Sequence, residues 1–256
     1  MTKPPAPFVG CGEHSEPHRL GLMRFAMLTG ILHRGLRLVL LGGIILLNAC
    51  AVHQSPLEEV DEQASFETQA RWAAHQEQVS SIDSWKIKGK IAVKAGGKGG
   101  HASLRWDREG EIQHIELFGP LGGGRVVVDM DAAGAHLKDT KGGDSRGDSV
   151  AKLIEQRLGW PLPFDLLPFW LRGLPAGPEA KIQWNDLGRI KRMNDSGWQV
   201  SYPEYQSIMI ADGQQALMPR QIELNALPGT LRVYDKNGEY LGEEFFIRLI
   251  VKSWLP

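Results

Sequence analysis

The amino-acid sequence predicts a mainly β protein with a helical insertion: a single unclosed antiparallel β-barrel of about 10–11 strands, with a helical lid over a hydrophobic cavity. Three observations lead to this prediction. Apolar and polar residues alternate from Trp85 onward, as in strands with one buried face. Helical periodicity interrupts the alternation once, over about residues 148–173. All eight tryptophans follow residue 50, and together they indicate a concavity suited to an apolar ligand, although core packing would explain each one singly.

The composition is that of a globular domain. Of the 256 residues, 42% are hydrophobic and 23% are charged, which suffices for a hydrophobic core. The first 49 residues hold five of the 29 Lys and Arg and two of the 30 Asp and Glu, so residues 50–256 carry a net charge of −4. A mildly acidic domain without a basic run lacks the electrostatic footprint of a nucleic-acid-binding protein. The two cysteines, Cys11 and Cys50, indicate that stability comes from the core rather than from disulfides.

Residues 1–49 are predicted to be a lipoprotein signal peptide. Two arginines precede ten uncharged residues, 38–47, whose length matches the apolar region of a signal peptide. That segment is shorter than the roughly 20 residues that cross a bilayer as a helix. The leader is long, and we expect translation to begin at Met23 or Met27.

The apolar segment ends in Leu47-Asn48-Ala49-Cys50, which resembles the lipobox of bacterial lipoproteins. Cys50 is therefore the expected lipidation site, and a plain secretory leader with a chance cysteine is the alternative. Acyl chains on one cysteine would anchor the protein, because each buried methylene contributes about 0.8 kcal/mol. Ala51 stands where lipoproteins retained in the inner membrane usually carry Asp, so the resemblance implies the outer membrane. Residues 50–64 would form the lipidated tether.

The next elements are a helix over about residues 65–80 and a series of strands. The helix shows apolar residues near the 3.6-residue period, at Phe66, Ala70, Ala73 and Val79. The period becomes two from Trp85 to Val93, and further strands are predicted over 102–106, 113–117 and 125–130. A one-residue change of register would turn every side chain to the other face. The alternation of inward and outward side chains along these strands predicts which residues form the cavity wall. They are Ile91, Val93, Leu104, Trp106, Leu117, Val126 and Val128.

The helical insertion is predicted in two parts. Asp148 or Ser149 caps a helix that ends at Gly159, since glycine is typical of helix C-termini. A second apolar segment, residues 164–172, ends at Gly173. Strands then resume around Ile182, Gly188–Met193, Trp198–Tyr205, Arg220–Ala226, Thr230–Tyr234 and Glu244–Trp254.

The sequence carries no motif of an enzyme, a metal site or a bound cofactor. Gly96–Gly100 lacks the Ser or Thr and the second glycine of a phosphate-binding loop, so a hairpin turn explains it better. No two histidines after residue 50 stand three or four residues apart. We therefore expect solvated strand histidines rather than zinc ligands, and a protein that is not an enzyme.

The loop Phe118-Gly-Pro-Leu-Gly-Gly-Gly124 contains a leucine that its turn does not need. The glycines and the proline specify the turn, whereas Leu121 has no conformational role there. A single exposed leucine is usually of no consequence. In a protein tethered to a bilayer, however, a leucine at a loop tip could enter the lipid.

Eight short segments from Arg71 onward together resemble one known family, the LolB family of outer-membrane lipoprotein receptors. The resemblance covers nearly the whole chain from that residue. The segments are Arg71-Trp-x-x-His75, Ile82-x-x-Trp85-x-x-x-Gly89-Lys-Ile-Ala-Val93, Ala102-Ser-Leu-Arg-Trp106, Gly119-Pro-Leu-Gly122, Leu158-Gly-Trp-Pro-Leu-Pro163, Trp170-Leu-Arg-Gly-Leu-Pro175, Met218-Pro-Arg-Gln-Ile-Glu-Leu224 and Ile247-Arg-Leu-Ile-Val-Lys-Ser-Trp254.

The resemblance implies a fold, a function and partners. The family is an unclosed β-barrel that takes acylated lipoproteins from the periplasmic carrier LolA and deposits them in outer-membrane phospholipid, without a nucleotide or cofactor. Leu121 falls on the family's protruding hydrophobic loop residue, which implies membrane contact. Residues 65–256 would be the LolB-like domain, a monomer that faces the periplasm from the inner leaflet. The stretch 234–242 is longer than the family leads us to expect, which leaves the register of the last hairpin open.

Two other functions remain open at the level of the sequence. A lipoprotein that binds or senses a small lipid without transferring cargo would share the cavity but would need no leucine at the loop tip. A scaffold subunit of an envelope complex would instead fill the concavity with its own side chains.

Overall fold

The computed structural model describes residues 65–120, 123–210 and 213–256. The predicted signal peptide, the tether with Cys50, and Leu121 lie outside these residues. The α-helices are α1 (Phe66–Ser80), α2 (Val150–Leu158) and α3 (Leu167–Leu171). The strands are β1 (Ser84–Ala95), β2 (Lys98–Glu109), β3 (Ile112–Phe118), β4 (Arg125–Asp131), β5 (Gly134–Asp139), β6 (Asp144–Gly147), β7 (Lys181–Trp184), β8 (Ile190–Asp195), β9 (Trp198–Met209), β10 (Gln215–Ala226), β11 (Val233–Tyr234), β12 (Tyr240–Gly242) and β13 (Phe246–Leu255).

Eleven of these strands form one antiparallel sheet, in the order β6-β5-β4-β3-β2-β1-β13-β10-β9-β8-β7. Strand β1 lies at the centre, between β2 and β13, and the edge strands β6 and β7 do not pair with each other. The sheet is therefore not closed, which confirms the predicted unclosed antiparallel architecture of about 10–11 strands. Strands β11 and β12 form a separate two-stranded sheet.

Strand β1 shows how the alternation in the sequence specifies the sheet. Trp85 and Ile91 are buried on its inner face, and the lysines between the buried positions are exposed. Ile91 lies opposite Ala102 of β2, so the predicted faces of the two strands coincide. Gly89 stands at a register shift with β13, where a Cβ atom would lie 2.4 Å from the carbonyl oxygen of Ile250. The close approach of the two strands therefore requires glycine.

Helix α1 begins where the sequence predicts, but its buried face differs from the prediction. Ser65 caps the helix, and its side chain accepts a hydrogen bond from the Thr68 N–H at 3.2 Å. Val79 is fully buried, whereas Phe66 is 89% exposed. The predicted apolar stripe is wrong at Phe66, Ala70 and Ala73, which are exposed, because the buried residues of the helix, His75 and Val79, lie in its C-terminal half. The expectation of solvated strand histidines is likewise wrong for His75.

The helical insertion follows the prediction. Of the two predicted caps of α2, Ser149 accepts the hydrogen bond, from the Lys152 N–H at 3.3 Å. Gly159 ends the helix with a φ of 76°, a conformation that favours glycine. Helix α3 is a single short turn with Pro168 near its start. Among the described helices, none combines the length and the hydropathy that a membrane span needs.

Several strands differ from the predicted ones. Strands β5 and β6 were not predicted, because β5 buries only two apolar side chains, Ala135 and Leu137, and β6 buries none. Strand β10 begins at Gln215 rather than at Arg220. Its Pro219 lies at a register shift, where a strand tolerates proline. The predicted strand Thr230–Tyr234 is reduced to β11.

The long stretch before the last strand forms a hairpin of its own, from β11 and β12. The Asp235 carboxylate accepts hydrogen bonds from the Asn237 and Glu239 N–H groups at 2.8 and 2.9 Å. Lys98 of β2 donates to the same carboxylate at 2.9 Å. The Lys98 ammonium and these N–H groups lower the pKa of Asp235 to about 2. Lys98 thus ties this hairpin to the main sheet, and the Val233 and Leu241 side chains of the hairpin are buried in the hydrophobic core.

Most tryptophans pack in the hydrophobic core. The ring of Trp85 lies 6.3 Å from that of Trp106 and 5.8 Å from that of Trp254. The Trp106 ring lies 5.5 Å from that of Phe164 in the insertion. All four side chains are buried. Core packing therefore accounts for these tryptophans.

Candidate functional site

An open cavity of about 430 Å³ lies between the sheet and the end of α2. This volume falls within the roughly 300–1,000 Å³ that is typical of small-ligand sites. Strands β1 to β4 supply one wall, and the end of α2 with the segment that follows supplies the other. The apolar lining residues are Ile91, Val93, Ala102, Leu117, Val126, Leu158, Trp160 and Leu162.

Strand phase predicts the buried face of the sheet but not which part of it remains open. Leu104, Trp106 and Val128 are buried, yet they do not line this cavity. Trp106 is covered by Phe164 of the insertion. The structure brings together on the cavity wall four of the seven predicted residues, Ile91, Val93, Leu117 and Val126.

The second wall comes from the segment after α2. Gly159 turns the chain at the helix end, and Leu158, Trp160 and Leu162 line the cavity on either side of it. The Trp160 ring stacks on Phe245, with centroids 5.8 Å apart and planes at 4°. Leu158 and Leu162 are absent from the predicted cavity wall. Their signal was an apolar run that continues past a helix end.

The glycine-rich loop after β3 borders the cavity. Gly119, Gly123 and Gly124 line it, and the Gly119 N–H donates to the Gly124 carbonyl at 2.9 Å. The Gly123 N–H donates to the Pro120 carbonyl, also at 2.9 Å. The structure therefore shows that the base of the loop lies beside the cavity. Leu121 itself lies outside the described residues.

Two of the cations that line the cavity are held in ion pairs. Arg157 of α2 pairs with Asp139 of β5, and Arg125 of β4 pairs with Glu116 of β3. The Gly143 N–H and the Arg157 guanidinium hold the pKa of Asp139 below its usual value. This carboxylate therefore stays ionised at neutral pH. The pair joins α2 to the sheet at the edge of the cavity.

Two buried carboxylates have structural roles that the sequence does not reveal. Glu116 is 7% exposed and binds Arg125 beside the cavity. Asp195 is 3% exposed and accepts hydrogen bonds from Trp170 Nε1 at 2.8 Å and from the Ala176 N–H at 2.6 Å. Asp195 thereby holds α3 on the sheet. Each is a single acid in a strand, and no local pattern distinguishes it from a solvated one.

The arrangement is suited to binding an apolar group. In residues 65–120, 123–210 and 213–256, no group of three His, Cys, Asp or Glu side chains could hold a metal ion. His114 Nδ1 lies 2.6 Å from Asp129, and His136 Nε2 lies 2.7 Å from Asp144. These strand histidines have carboxylate partners of their own, and neither lines the cavity.

Comparison with known proteins places the chain in a family. Residues 83–254 match the family model described as Outer membrane lipoprotein LolB. The Outer-membrane lipoprotein LolB of Pseudomonas putida (strain GB-1) is 30% identical over 187 residues, which are 73% of this chain and 81% of that protein. The protein of the same name from Pseudomonas aeruginosa (strain UCBPP-PA14) is 30% identical over 215 residues, which are 83% of this chain and 92% of that protein. Because the family match spans most of the chain, this protein belongs to the LolB family.

Proposed function

We propose that this protein is an outer-membrane lipoprotein receptor, which accepts lipoproteins from the periplasmic carrier LolA and inserts them into the outer membrane. Membership of the LolB family supports a role in lipoprotein localisation. The observation that carries the proposal is the apolar cavity, in which Leu117 and Val126 face Leu158 and Trp160 across about 430 Å³ of open space. A scaffold subunit would have filled this space with its own side chains.

Capture of an acyl chain by these walls needs no covalent step. Each methylene group that leaves water contributes about 0.8 kcal/mol, so a long chain is held by apolar contact alone. An acyl chain that enters the bilayer gains the same free energy for each methylene group. Release therefore requires only that the cavity opens beside a competing apolar phase, and no nucleotide or cofactor takes part.

Anchoring and insertion are assigned to two residues outside the described part of the chain. Cys50 carries the acyl chains that anchor the protein in the inner leaflet, and residues 50–64 tether the domain, residues 65–256, on the periplasmic side. Leu121 enters the phospholipid from the loop whose base borders the cavity. A monomer would suffice, because the cavity lies within one chain.

A transfer assay tests this function. The full chain with Cys50→Ala is mixed with a complex of LolA and an acylated lipoprotein, and each protein is then pulled down separately. We expect the lipoprotein to move from LolA to this chain. A second acceptor of established competence serves as the control. If the cargo stays on a carrier that still delivers to the control acceptor, the receptor function is refuted and lipid binding without transfer takes its place.

A further inference from the structure

The outer face of the sheet carries a row of cations that the proposed function does not use. Lys86, Lys88 and Lys90 are exposed on the outer side of β1. Lys252 is exposed on the neighbouring strand β13, and Arg105 of β2 lies directly opposite Lys88. We call these five residues the basic face.

Most of the basic face lacks an acidic partner. Arg105 lies 3.6 Å from Glu116, and Lys86 lies 4.0 Å from Asp107. Within the part of the chain that the structure describes, the members without an ion pair are Lys88, Lys90 and Lys252.

Such a row of like charges destabilises the isolated domain. Residues two apart in a strand are separated by about 7 Å, which is within the Debye length of about 8 Å at physiological ionic strength. Like charges directly opposite each other on neighbouring strands, as at Lys88 and Arg105, are also unfavourable. Residues 50–256 carry a net charge of −4, so a concentration of cations on one face indicates an anionic partner.

A shallow depression of about 340 Å³ lies within the basic face. The Arg105 guanidinium carbon lies 5.0 Å from the centre of the Phe118 ring, which holds the cation at the side of the depression. The lining residues include Lys88, Lys90, Ser103, Arg105, Phe118 and Lys252. A hydroxyl, a guanidinium and three ammonium groups around one depression are suited to a phosphate group.

The depression lies close to the loop that borders the cavity. Lys90 is opposite Ser103, and Ser103 is opposite Phe118, so the three residues form one row across β1, β2 and β3. Adjacent strands are about 4.8 Å apart, which puts Lys90 about 10 Å from Phe118. Phe118 is the last residue of β3, immediately before the loop that contains Leu121.

We propose that the basic face docks on the anionic phospholipid headgroups of the membrane, with a phosphate in the depression. The proposal rests on the proposed function, because the outer-membrane location brings this face to a lipid surface. Lysine is depleted at protein–protein interfaces, and the binding energy of such interfaces is concentrated in buried aromatic and Arg anchors. Each lysine near an anionic bilayer instead strengthens binding about fivefold. Docking would hold the tethered domain with its loop beside the bilayer.

Vesicle flotation tests the proposal. The full chain with Cys50→Ala is mixed with vesicles of phosphatidylethanolamine and phosphatidylglycerol, or of phosphatidylcholine alone. Adding Lys88→Gln, Lys90→Gln and Lys252→Gln should weaken binding to the anionic vesicles on the order of a hundredfold, with little change for phosphatidylcholine. The matched control is Lys138→Gln, Lys181→Gln and Lys191→Gln, which removes the same charge from exposed positions on β5, β7 and β8. An equal loss in both triple variants, or no loss in the first, would overturn the proposal.

The transfer assay on the same variants separates this proposal from the proposed function. We expect the basic-face variant to accept cargo from LolA as the control variant does. If it binds anionic vesicles normally but no longer accepts cargo, the basic face binds the carrier and the membrane proposal is overturned. The chain without these lysine substitutions could accept no cargo, while the basic-face variant still loses binding to anionic vesicles. In that case the receptor function is refuted, and the docking of the basic face on anionic lipid is supported.

Discussion

At the level of single residues, Asp195 illustrates how a buried charge holds the helical insertion in place. Its carboxylate accepts hydrogen bonds from Trp170 Nε1 and from the Ala176 and Gly177 N–H groups, at 2.8, 2.6 and 3.1 Å. These donors lie in α3 and directly after it. A buried acceptor with several donors stabilises a fold mainly because its removal leaves those donors unsatisfied.

We predict that Asp195→Ala lowers the free energy of unfolding by about 3 kcal/mol, because these three donors and the Ser196 hydroxyl lose one charged acceptor. Chemical denaturation of the variant measures this change. Glu179→Ala, at an exposed position, is the control and should change the free energy by less than about 0.5 kcal/mol. Similar losses in the two variants would show that Asp195 does not hold the insertion.

Leu121→Glu should leave the fold and cargo capture unchanged but block the insertion of lipoproteins into membranes. A carboxylate at a loop tip is costly to move into lipid, whereas the cavity walls do not depend on it. Transfer of captured lipoprotein from the variant to vesicles measures insertion, and Leu121→Met is the matched apolar control. Normal delivery by Leu121→Glu would rule out membrane entry by this residue.

At the level of elements, the period of the apolar residues predicts long strands well and short ones poorly. Strand β1 repeats its alternation over twelve residues, so its buried face follows from sequence, whereas its pairing with β13 and the register shift at Gly89 do not. Strand β6, with four exposed residues, contains no such signal. The cavity is only half predictable for a related reason. Whether a wall residue such as Trp106 is covered depends on its contact with Phe164, and no local pattern reports a contact between distant residues.

The end of α2 supplies the element-scale prediction. Gly159 has a φ of 76°, and a Cβ atom there would lie 2.6 Å from the backbone nitrogen of Lys236. We predict that Gly159→Ala lowers the free energy of unfolding by about 2 kcal/mol more than Gly142→Ala does, because steric overlap is added at Gly159 to the positive-φ strain that both positions share. Gly142 is the matched control, because it has a φ of 84° and a Cβ atom there would meet nothing within 4 Å beyond its chain neighbours. If thermal or chemical denaturation shows equal losses of stability in the two variants, the close approach of Gly159 to Lys236 is unimportant for stability.

At the level of the whole molecule, one buried histidine should make stability depend on pH. Burial, assisted by the Arg189 charge, lowers the pKa of His75 from 6.5 to about 4. In the unfolded chain the His75 side chain thus takes up a proton near pH 6.5, whereas in the folded protein it stays neutral until about pH 4. Stability is therefore complete above pH 6.5 and falls as the pH decreases towards 4.

As the pH falls from about 6.5 to 5, the decrease in the free energy of unfolding approaches about 1.4 kcal/mol per pH unit. Denaturation at several pH values measures it. His75→Gln should remove most of this slope, while His101→Gln, at an exposed position, should keep it. A slope that persists in His75→Gln would assign the pH dependence to other groups.

Photocrosslinking can show whether the acyl chains of the cargo occupy the cavity between the sheet and the end of α2. A photoreactive benzoylphenylalanine replaces Val126 on the cavity wall, or Ile112, which is 60% exposed and does not line the cavity. Each protein receives a lipoprotein with radiolabelled acyl chains from LolA and is then irradiated. If the acyl chains lie in the cavity, position 126 is labelled and position 112 is not. Transfer without labelling at 126, or equal labelling at both positions, would contradict this position of the acyl chains.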